Sequence, residues 1–179
     1  MATRDVSAEG SGARYTRGAI WLHWLIGLAV LANIPLAMLT EGLPRDARVA
    51  GMGVHKALGI AILALTIVRI GWRLGHRPPP LPATIPAWQR LFGRITHGLF
   101  YLLLILLPLS GWVWMSAVGK PIDFFGLFAV PVIVAPDKAL ADAMHDRHEL
   151  LGVAMLALVA LHIGAALKHQ FVDRTGLFG

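Results

Sequence analysis

Five histidines lie within or at the edges of long apolar stretches of the sequence: His23, His55, His97, His148 and His162. An ionisable side chain in such a stretch is expensive to bury, and an imidazole is also a common ligand of metal ions. Taken singly, each of these rings has an ordinary alternative role, as a hydrogen-bond partner of a neighbouring helix or as a side chain that reaches the membrane boundary. Their relative positions favour a shared role.

Two of these histidines lie 14 residues apart, at His148 and His162. In an α-helix this interval is about four turns, so both rings lie on one face with roughly 21 Å of rise between them. If the apolar stretches cross a membrane in alternating directions, His23 lies at the depth of His162 and His55 at the depth of His148. Two imidazoles that face each other inside a helical bundle are how haem iron receives two axial ligands. The sequence therefore predicts two haem sites at two depths.

A small residue follows each of the four paired histidines by one helical turn. These residues are Gly27, Gly59, Gly152 and Ala166. Because a flat porphyrin must come close to the helix backbone beside its ligand, they are predicted to provide clearance for it. Close packing of neighbouring helices is the alternative explanation for small residues in membrane segments. His97 is followed instead by Tyr101, and we expect it at the interface or beside the haem ligands, with a ligand role left open.

Two further polar residues share faces with these histidines. Arg69 follows His55 by 14 residues, so its guanidinium is predicted at the depth of the inner haem, where it would pair with a propionate. The alternative is a basic residue that flanks a membrane segment. His169 follows His162 by two turns and is a candidate for the quinone site, or else a histidine of the membrane interface.

The composition agrees with a membrane location. The chain has 179 residues, of which 56% are hydrophobic and 15% charged, whereas a soluble domain has about 25% charged residues. It has no cysteine, which excludes disulfides, iron–sulfur clusters, thiolate zinc sites and covalently attached c-type haem. The basic residues lie between apolar runs, which indicates membrane borders rather than a nucleic-acid surface.

Four stretches are long enough to cross a bilayer as helices: 18–39, 55–74, 95–116 and 148–168. We therefore predict an all-α integral membrane protein, a bundle of four transmembrane helices that encloses two b-type haems. The proline-rich joint 75–88 separates the second and third spans. Prolines make 121–136 too short and broken to span, so it is predicted to lie on the surface or cap the bundle.

The remaining segments and the distribution of charge predict the topology. Residues 1–17 are expected to form a disordered cytoplasmic tail, 18–172 the bundle, and 173–179 a short cytoplasmic tail. The first apolar run is too long for a typical signal peptide and is expected to be retained. Ten Lys and Arg residues lie on the side of the termini and six on the other, which predicts that both termini face the cytoplasm.

Several short motifs of the sequence resemble the bacterial cytochrome b561 family. They are IWLHWLIG; VHKALGI and, later in the same span, VRIGWRL; PLSGW; and HELLG, which is followed by LH and KH near the end of the chain. The resemblance covers roughly residues 15–172. The resemblance implies a four-helix bundle in the bacterial inner membrane with two b-type haems. It assigns His23 and His162 to one haem and His55 and His148 to the other. Among the relatives are superoxide oxidases, which take an electron from superoxide outside and reduce ubiquinone inside, at a position that matches His169.

The resemblance thus implies transmembrane electron transfer, with superoxide as the donor and quinone as the acceptor. Superoxide is an anion, so a positive outer surface would attract it. The outer loops carry seven acidic and six basic residues, which does not give such a surface as a whole. Arg45, Arg48 and Lys56 would nevertheless give a local positive patch beside His55. The electron donor is therefore either superoxide or an unidentified molecule. One alternative is a non-catalytic cytochrome b subunit that passes electrons between a partner enzyme and the quinone pool. Another is a haem-free helical membrane protein, a transporter or scaffold. The oligomeric state is left open.

Overall fold

Four long helices and one short hairpin make up the structure. The computed structural model describes residues 16–40, 42–76 and 86–171, except for the side chain of His169. In chain order the elements are α1 (Arg17–Leu39), α2 (Arg45–Gly75), α3 (Ala87–Ala117), β1 (Ile122–Phe124), β2 (Phe128–Val130) and α4 (Lys138–Phe171). Each helix is long and apolar enough to cross a membrane, so the predicted four-helix membrane fold is confirmed. The predicted tails lie outside the described residues, apart from residues 16 and 17 at one end.

Many large apolar side chains point away from the bundle. Trp21, Leu150 and Leu161 are each about 70% exposed or more in the isolated chain, at 75%, 69% and 71%. Exposed apolar surface on this scale is typical of a protein–lipid boundary, since helices satisfy their own backbone hydrogen bonds and present apolar side chains to lipid. The helices therefore bury little of their apolar surface against one another and leave the rest for the bilayer.

Three helices extend further than the spans predicted from hydropathy. α2 begins at Arg45 instead of 55, α3 at Ala87 instead of 95, and α4 at Lys138 instead of 148. The additional turns contain polar residues, which hydropathy does not detect but which are good helix formers in water. The start of α4 is held by Asp137, whose Oδ1 accepts the Leu140 N–H at 3.0 Å. Consequently, His145, which precedes the predicted span 148–168, lies within α4.

The helices pack in chain order. α1 packs on α2, α2 on α3 and α3 on α4, and within the described residues α1 and α4 have no comparable packing. The core lies midway along the bundle, between the two histidine depths, and consists of Ile26, Val30, Ile62, Leu103, Leu104 and Met155. We call the end at which α1 begins and α4 ends the terminal end, and the opposite end the hairpin end. α4 therefore packs closely on neither α1 nor α2 within the described residues, and these are the helices between which a cofactor would lie.

Residues 121–136 cap the hairpin end. The two strands pair antiparallel, with Ile122 opposite Val130, and β1 packs on α2. The connection to α3 is made by Trp112, whose Nε1–H donates to the Pro131 carbonyl at 2.9 Å, and by Ser116, whose Oγ accepts the Ile133 N–H at 3.1 Å. The segment is not one of the four helices that could span a membrane, as predicted, and its strand pairing has no counterpart in the sequence prediction.

Candidate functional site

The structure brings together the two pairs of imidazoles that the sequence spacing predicts. At the terminal end, the ring centres of His23 on α1 and His162 on α4 are 6.4 Å apart, with 78° between the ring planes. At the hairpin end, the ring centres of His55 on α2 and His148 on α4 are 6.1 Å apart, with 87° between the planes. Each pair therefore brings together rings from two helices that do not pack closely on each other within the described residues.

These separations can be compared with the size of a metal centre. With metal–nitrogen bonds of about 2 Å and the further length from each nitrogen to its ring centre, two imidazoles on opposite sides of one ion have centres about 6 Å apart. The two pairs, at 6.4 and 6.1 Å, fit this arrangement. Haem iron is the metal centre that takes two imidazoles in this way within a membrane bundle.

Open space beside the helix backbone supports the same fit. A Cβ atom added at Gly27, Gly59 or Gly152 would meet none of the described atoms within 4 Å. These glycines therefore do not serve close packing of helices. Close packing occurs at other glycines, since a Cβ at Gly18 would clash with Trp72 and one at Gly51 with Thr40. The glycines one turn after the paired histidines thus have the clearance that a planar group requires, and the fourth small residue, Ala166, is partly buried.

The ring of His148 is fixed by α3. Its Nδ1 lies 3.0 Å from the Leu107 carbonyl oxygen and 3.1 Å from the Ser110 hydroxyl. Because a carbonyl oxygen only accepts, Nδ1 carries the proton and Nε2 is the nitrogen available to a metal. Gly111 lets the ring approach the helix, since a Cβ there would lie 3.0 Å from Cε1 of His148.

His55 is oriented in a similar way by α1. Its Nδ1 lies 3.3 Å from the Asn33 carbonyl oxygen, so here too the donated proton is on Nδ1 and Nε2 is left for a metal. The side-chain Oδ1 of Asn33 is buried and has no hydrogen-bond partner within the described part of the chain. The hairpin-end pair therefore has a backbone carbonyl behind each imidazole.

The terminal-end pair has ring contacts instead. His162 lies 5.1 Å from the ring centre of Phe100 and 6.2 Å from that of His97, both on α3. His23 lies 5.5 Å from the ring centre of Trp24. Within residues 16–40, 42–76 and 86–171, neither His23 nor His162 makes a side-chain hydrogen bond. His97, predicted beside the ligands or at the interface, thus adjoins one ring of this pair.

Two guanidinium groups meet one phenol near the terminal-end pair. The Nε–H of Arg69 donates to the Tyr101 hydroxyl at 3.1 Å, and its Nη1 donates to the carbonyl of Ala19, one turn before His23, at 3.4 Å. Arg73 donates to the same hydroxyl at 3.5 Å and lies 5.6 Å from the ring centre. This places Arg69 at the depth predicted for it. Its partner in the structure is Tyr101, the residue that follows His97 by one turn in place of a small residue.

Some residues of the site were not predicted from the sequence. The side chain of one predicted residue, His169, lies outside the part of the chain that the structure describes. Ser110 and Gly111 belong to the PLSGW motif, one of the motifs that carry the family resemblance. Their contact with His148 was not predicted. The carbonyls of Leu107 and Asn33 carry no sequence signal, because every residue has one. The backbone of His169 lies in α4, but its side chain lies outside the described part, so its predicted quinone role stays a prediction.

Comparison with known proteins agrees with this geometry. The family model for prokaryotic cytochrome b561 matches residues 14–178. Cytochrome b561 homolog 2 of Escherichia coli K12 is 35% identical over 94% of this chain and 91% of its own length. Cytochrome b561 homolog 1 of the same organism is 27% identical over 90% and 92%. A protein of Yersinia pestis named probable superoxide oxidase CybB is 32% identical over 89% and 90%.

The matches extend over nearly the whole chain and include all four helices and both imidazole pairs. A helical membrane protein without haem would not require this arrangement of histidines. The chain therefore belongs to the prokaryotic cytochrome b561 family, multi-pass bacterial membrane proteins that bind b-type haem and transfer electrons.

Proposed function

We propose that this protein binds two b-type haems and conducts electrons across the membrane between them. His23 and His162 would hold one haem, and His55 and His148 the other. The observation that carries the proposal is the presence of two imidazole pairs at different depths, with ring centres 6.4 and 6.1 Å apart. Along α4 the two ligand positions are 14 residues, or roughly 21 Å, apart.

The protein residues would restrict the bound haems to electron transfer. When bound, the haems supply one-electron redox chemistry at iron. Each iron would be held by two imidazoles, which would leave no position for oxygen or a substrate to bind. Leu107 and Asn33 hold the ring orientation at the hairpin end, while the clearance at Gly27, Gly59 and Gly152 admits the flat group. The chain thus positions and tunes the haems.

The proposed location is the bacterial inner membrane, with both termini in the cytoplasm. Six basic residues and no acidic residue of the described part lie at the terminal end: Arg17, Arg69, Arg73, Arg90, Arg94 and Lys168. At the hairpin end, six described basic residues balance six described acidic ones. An excess of basic residues is typical of the cytoplasmic side of a membrane protein. The terminal end is accordingly the inner end.

The proposed reaction oxidises superoxide at the outer face and reduces ubiquinone at the inner face. Two superoxide anions each give up one electron and become oxygen, and one ubiquinone takes both electrons and two protons to become ubiquinol. The name of the Yersinia pestis relative supports superoxide as the donor. Arg45, Arg48 and Lys56 on α2 lie beside or before His55 and would attract the anion. His169 is the candidate residue for the quinone.

Stopped-flow spectroscopy of the purified haem-loaded protein tests this reaction. Superoxide added to the oxidised protein is expected to produce the absorption bands of reduced haem, and a ubiquinone analogue is expected to remove them again. Superoxide dismutase in the same mixture serves as the control, because it should abolish the reduction. A protein that superoxide leaves oxidised, but that dithionite reduces fully, would contradict the proposed donor while leaving the haem sites intact.

The second candidate is a non-catalytic cytochrome b subunit that receives its electrons from a partner enzyme. It is favoured by the apolar surface of the hairpin, where Phe125, Leu127 and Phe128 are 48%, 77% and 56% exposed. An exposed apolar patch of this kind is typical of an interaction surface. Under this alternative the purified protein does not react with superoxide, and a partner is recovered with it from membranes solubilised in mild detergent.

A further inference from the structure

The two imidazole pairs have different surroundings, and the difference bears on the direction of electron transfer. We propose that the polypeptide gives the haem at the terminal end a higher reduction potential than the haem at the hairpin end. Electrons would then pass downhill from the hairpin end to the terminal end. This inference rests on the two haems of the proposed function, but not on the identity of the donor or the acceptor.

Hydrogen bonding to the axial imidazoles is the first difference. At the hairpin end, His148 donates its Nδ1 proton to the Leu107 carbonyl at 3.0 Å, and His55 donates to the Asn33 carbonyl at 3.3 Å. A hydrogen bond of this kind makes an imidazole a stronger electron donor to its metal. A stronger donor stabilises oxidised iron relative to reduced iron and lowers the reduction potential. Neither His23 nor His162 has such a bond within the described residues.

Charge near the terminal-end pair is the second difference. Arg69 spans from the Tyr101 hydroxyl to the Ala19 carbonyl, one turn before His23, and Arg73 contacts the same phenol. Both guanidiniums therefore have neutral oxygens as their contacts, and no described carboxylate lies at this end to cancel them. Because a positive charge favours the iron state with one more electron, these two arginines raise the reduction potential there.

The hairpin end has no such excess of positive charge among its described residues. All six acidic residues of the described part lie there: Asp46, Asp123, Asp137, Asp142, Asp146 and Glu149. They balance the six basic residues of that end, among them Lys138, which pairs with Asp142. The haem at this end would therefore lack the excess of basic residues that the described part of the chain has at the terminal end. Hydrogen bonding and charge thus act in the same direction.

The proposed order of potentials has a physical consequence for a protein in an energised membrane. An electron that moves inward moves toward the negative side and is opposed by the membrane potential. A higher reduction potential at the inner haem offsets this opposition. The same arrangement slows return of the electron to the outer haem once it has arrived.

Redox titration of the purified holoprotein, followed by visible absorption, tests the inference without any turnover. We expect two components. In His148→Ala only the high-potential component should remain, and in His162→Ala only the low-potential one. If either variant does not accumulate as folded protein, Arg69→Gln and Arg73→Gln in the two-haem protein show instead which of the two potentials belongs to the terminal-end haem.

The arginine variants should move the high-potential component alone. Removing either charge is expected to lower the ratio of reduced to oxidised haem in that component by roughly tenfold at a fixed applied potential, about 59 mV for one electron. Arg90→Gln is the matched control, because it removes a basic residue of the same end that does not contact Tyr101 within the described part of the chain. A change in Arg90→Gln as large as that in Arg69→Gln would overturn the local charge argument.

The result can be separated from a failure of the proposed function. If the remaining haem of His148→Ala has the lower potential, the inference is wrong even if superoxide reduces the protein and quinone reoxidises it. If the predicted order of potentials is found but superoxide does not react, the inference stands and the proposed donor is wrong. If the wild-type protein contains a single haem, both are wrong.

Discussion

His148 is held more firmly than any other imidazole of the two pairs. Leu107, Ser110 and Gly111 of α3 fix the ring by a carbonyl, a hydroxyl and the absence of a side chain. The proton on Nδ1 leaves Nε2 available to a metal, so one contact would determine both the ring orientation and the coordinating atom under the proposed function. At the scale of single residues, the proposed function would depend on Leu107, Ser110 and Gly111, which act through His148.

Replacement of His148 by alanine should remove one haem of the two. Under the proposed function the hairpin-end haem would lose one of its two histidine ligands, whereas His23 and His162 would be unaffected. Pyridine haemochrome analysis of the purified protein is expected to give about one haem per chain instead of two. His145→Ala is the control, since His145 lies on the same helix with its side chain 51% exposed, and it should keep both haems. Two haems in His148→Ala would show that the pairing is wrong.

Enlargement of Gly111 should disturb the same haem through its ligand. Because a Cβ at this position already lies 3.0 Å from His148, the larger side chain of Gly111→Leu forces the ring away from α3. Overpacking of this kind costs about 1–3 kcal/mol, and here it also separates Nδ1 from its carbonyl acceptor. Absorption spectra of the reduced protein should show loss or displacement of one haem component. In Gly98→Leu, where the residue is exposed, unlike Gly27, Gly59 and Gly152, and a Cβ meets none of the described atoms within 4 Å, both components should be retained.

The sequence predicts the imidazole pairs well and their supporting contacts poorly. A 14-residue interval fixes the face and depth of two side chains on one helix, so the pairing of His162 with His23 and of His148 with His55 follows from helix geometry. The carbonyls that orient His55 and His148 belong to the backbone of other helices. Their positions depend on how α1 and α3 pack, which no local pattern in the sequence specifies.

At the scale of the elements, α1 and α2 are joined through small residues at both ends. Gly18 lies against the ring of Trp72, whose Nε1–H donates to Thr16 Oγ1 at 2.9 Å. Near the other end of the pair, Gly51 lies against Thr40. Small residues let membrane helices approach closely, because packing rather than water exclusion holds them together. This contact places His23 and His55 on helices that are fixed relative to each other.

A bulky residue at position 18 should loosen this helix pair. In Gly18→Leu the side chain meets the ring of Trp72, since even a Cβ would lie 2.6 Å from Cζ2. The expected destabilisation is about 1–3 kcal/mol. It should be measurable as a lower midpoint temperature when loss of the Soret band is followed on heating. Gly71→Leu, at a position where a Cβ has no described neighbour within 4 Å, should leave the midpoint within the range of other surface substitutions.

Hydropathy located all four helices but not their ends. It detects the part of a helix that lies in hydrocarbon, so the polar turns from Arg45 and from Lys138 were left outside the predicted spans. The hairpin was also missed, because strands of only three residues between prolines give no periodic signal. The element types are therefore predictable here where they are long and apolar, and not where they leave the lipid.

At the scale of the whole molecule, charge is distributed unequally between the two ends. Among the described residues, the terminal end is basic, whereas basic and acidic residues balance at the hairpin end. This distribution favours a single orientation in the membrane. It also means that an anionic donor would be drawn to a local patch of Arg45, Arg48 and Lys56 rather than to the whole outer surface.

Reversal of charge in this patch should slow the reaction with superoxide. Arg48→Glu is expected to lower the second-order rate constant by roughly threefold to tenfold at low ionic strength, because electrostatic steering is lost. Added salt should slow the wild-type reaction more than that of the variant, since salt screens exposed charges. Arg90→Gln, at the opposite end, is the control for a general effect of charge. Equal rate constants for wild type and Arg48→Glu at low salt would rule out steering by this residue.

The central claim is that electrons cross the bilayer through two haems, and proteoliposomes test it most directly. Vesicles of the purified holoprotein are loaded with ferricyanide, and a membrane-impermeant reductant is added outside. The account predicts that the trapped ferricyanide is reduced in vesicles with the wild-type protein, and that in His148→Ala and His162→Ala its reduction falls to the rate of empty vesicles. Reduction at the wild-type rate in either single-site variant, or no reduction by a wild-type protein that contains two haems, would contradict the account.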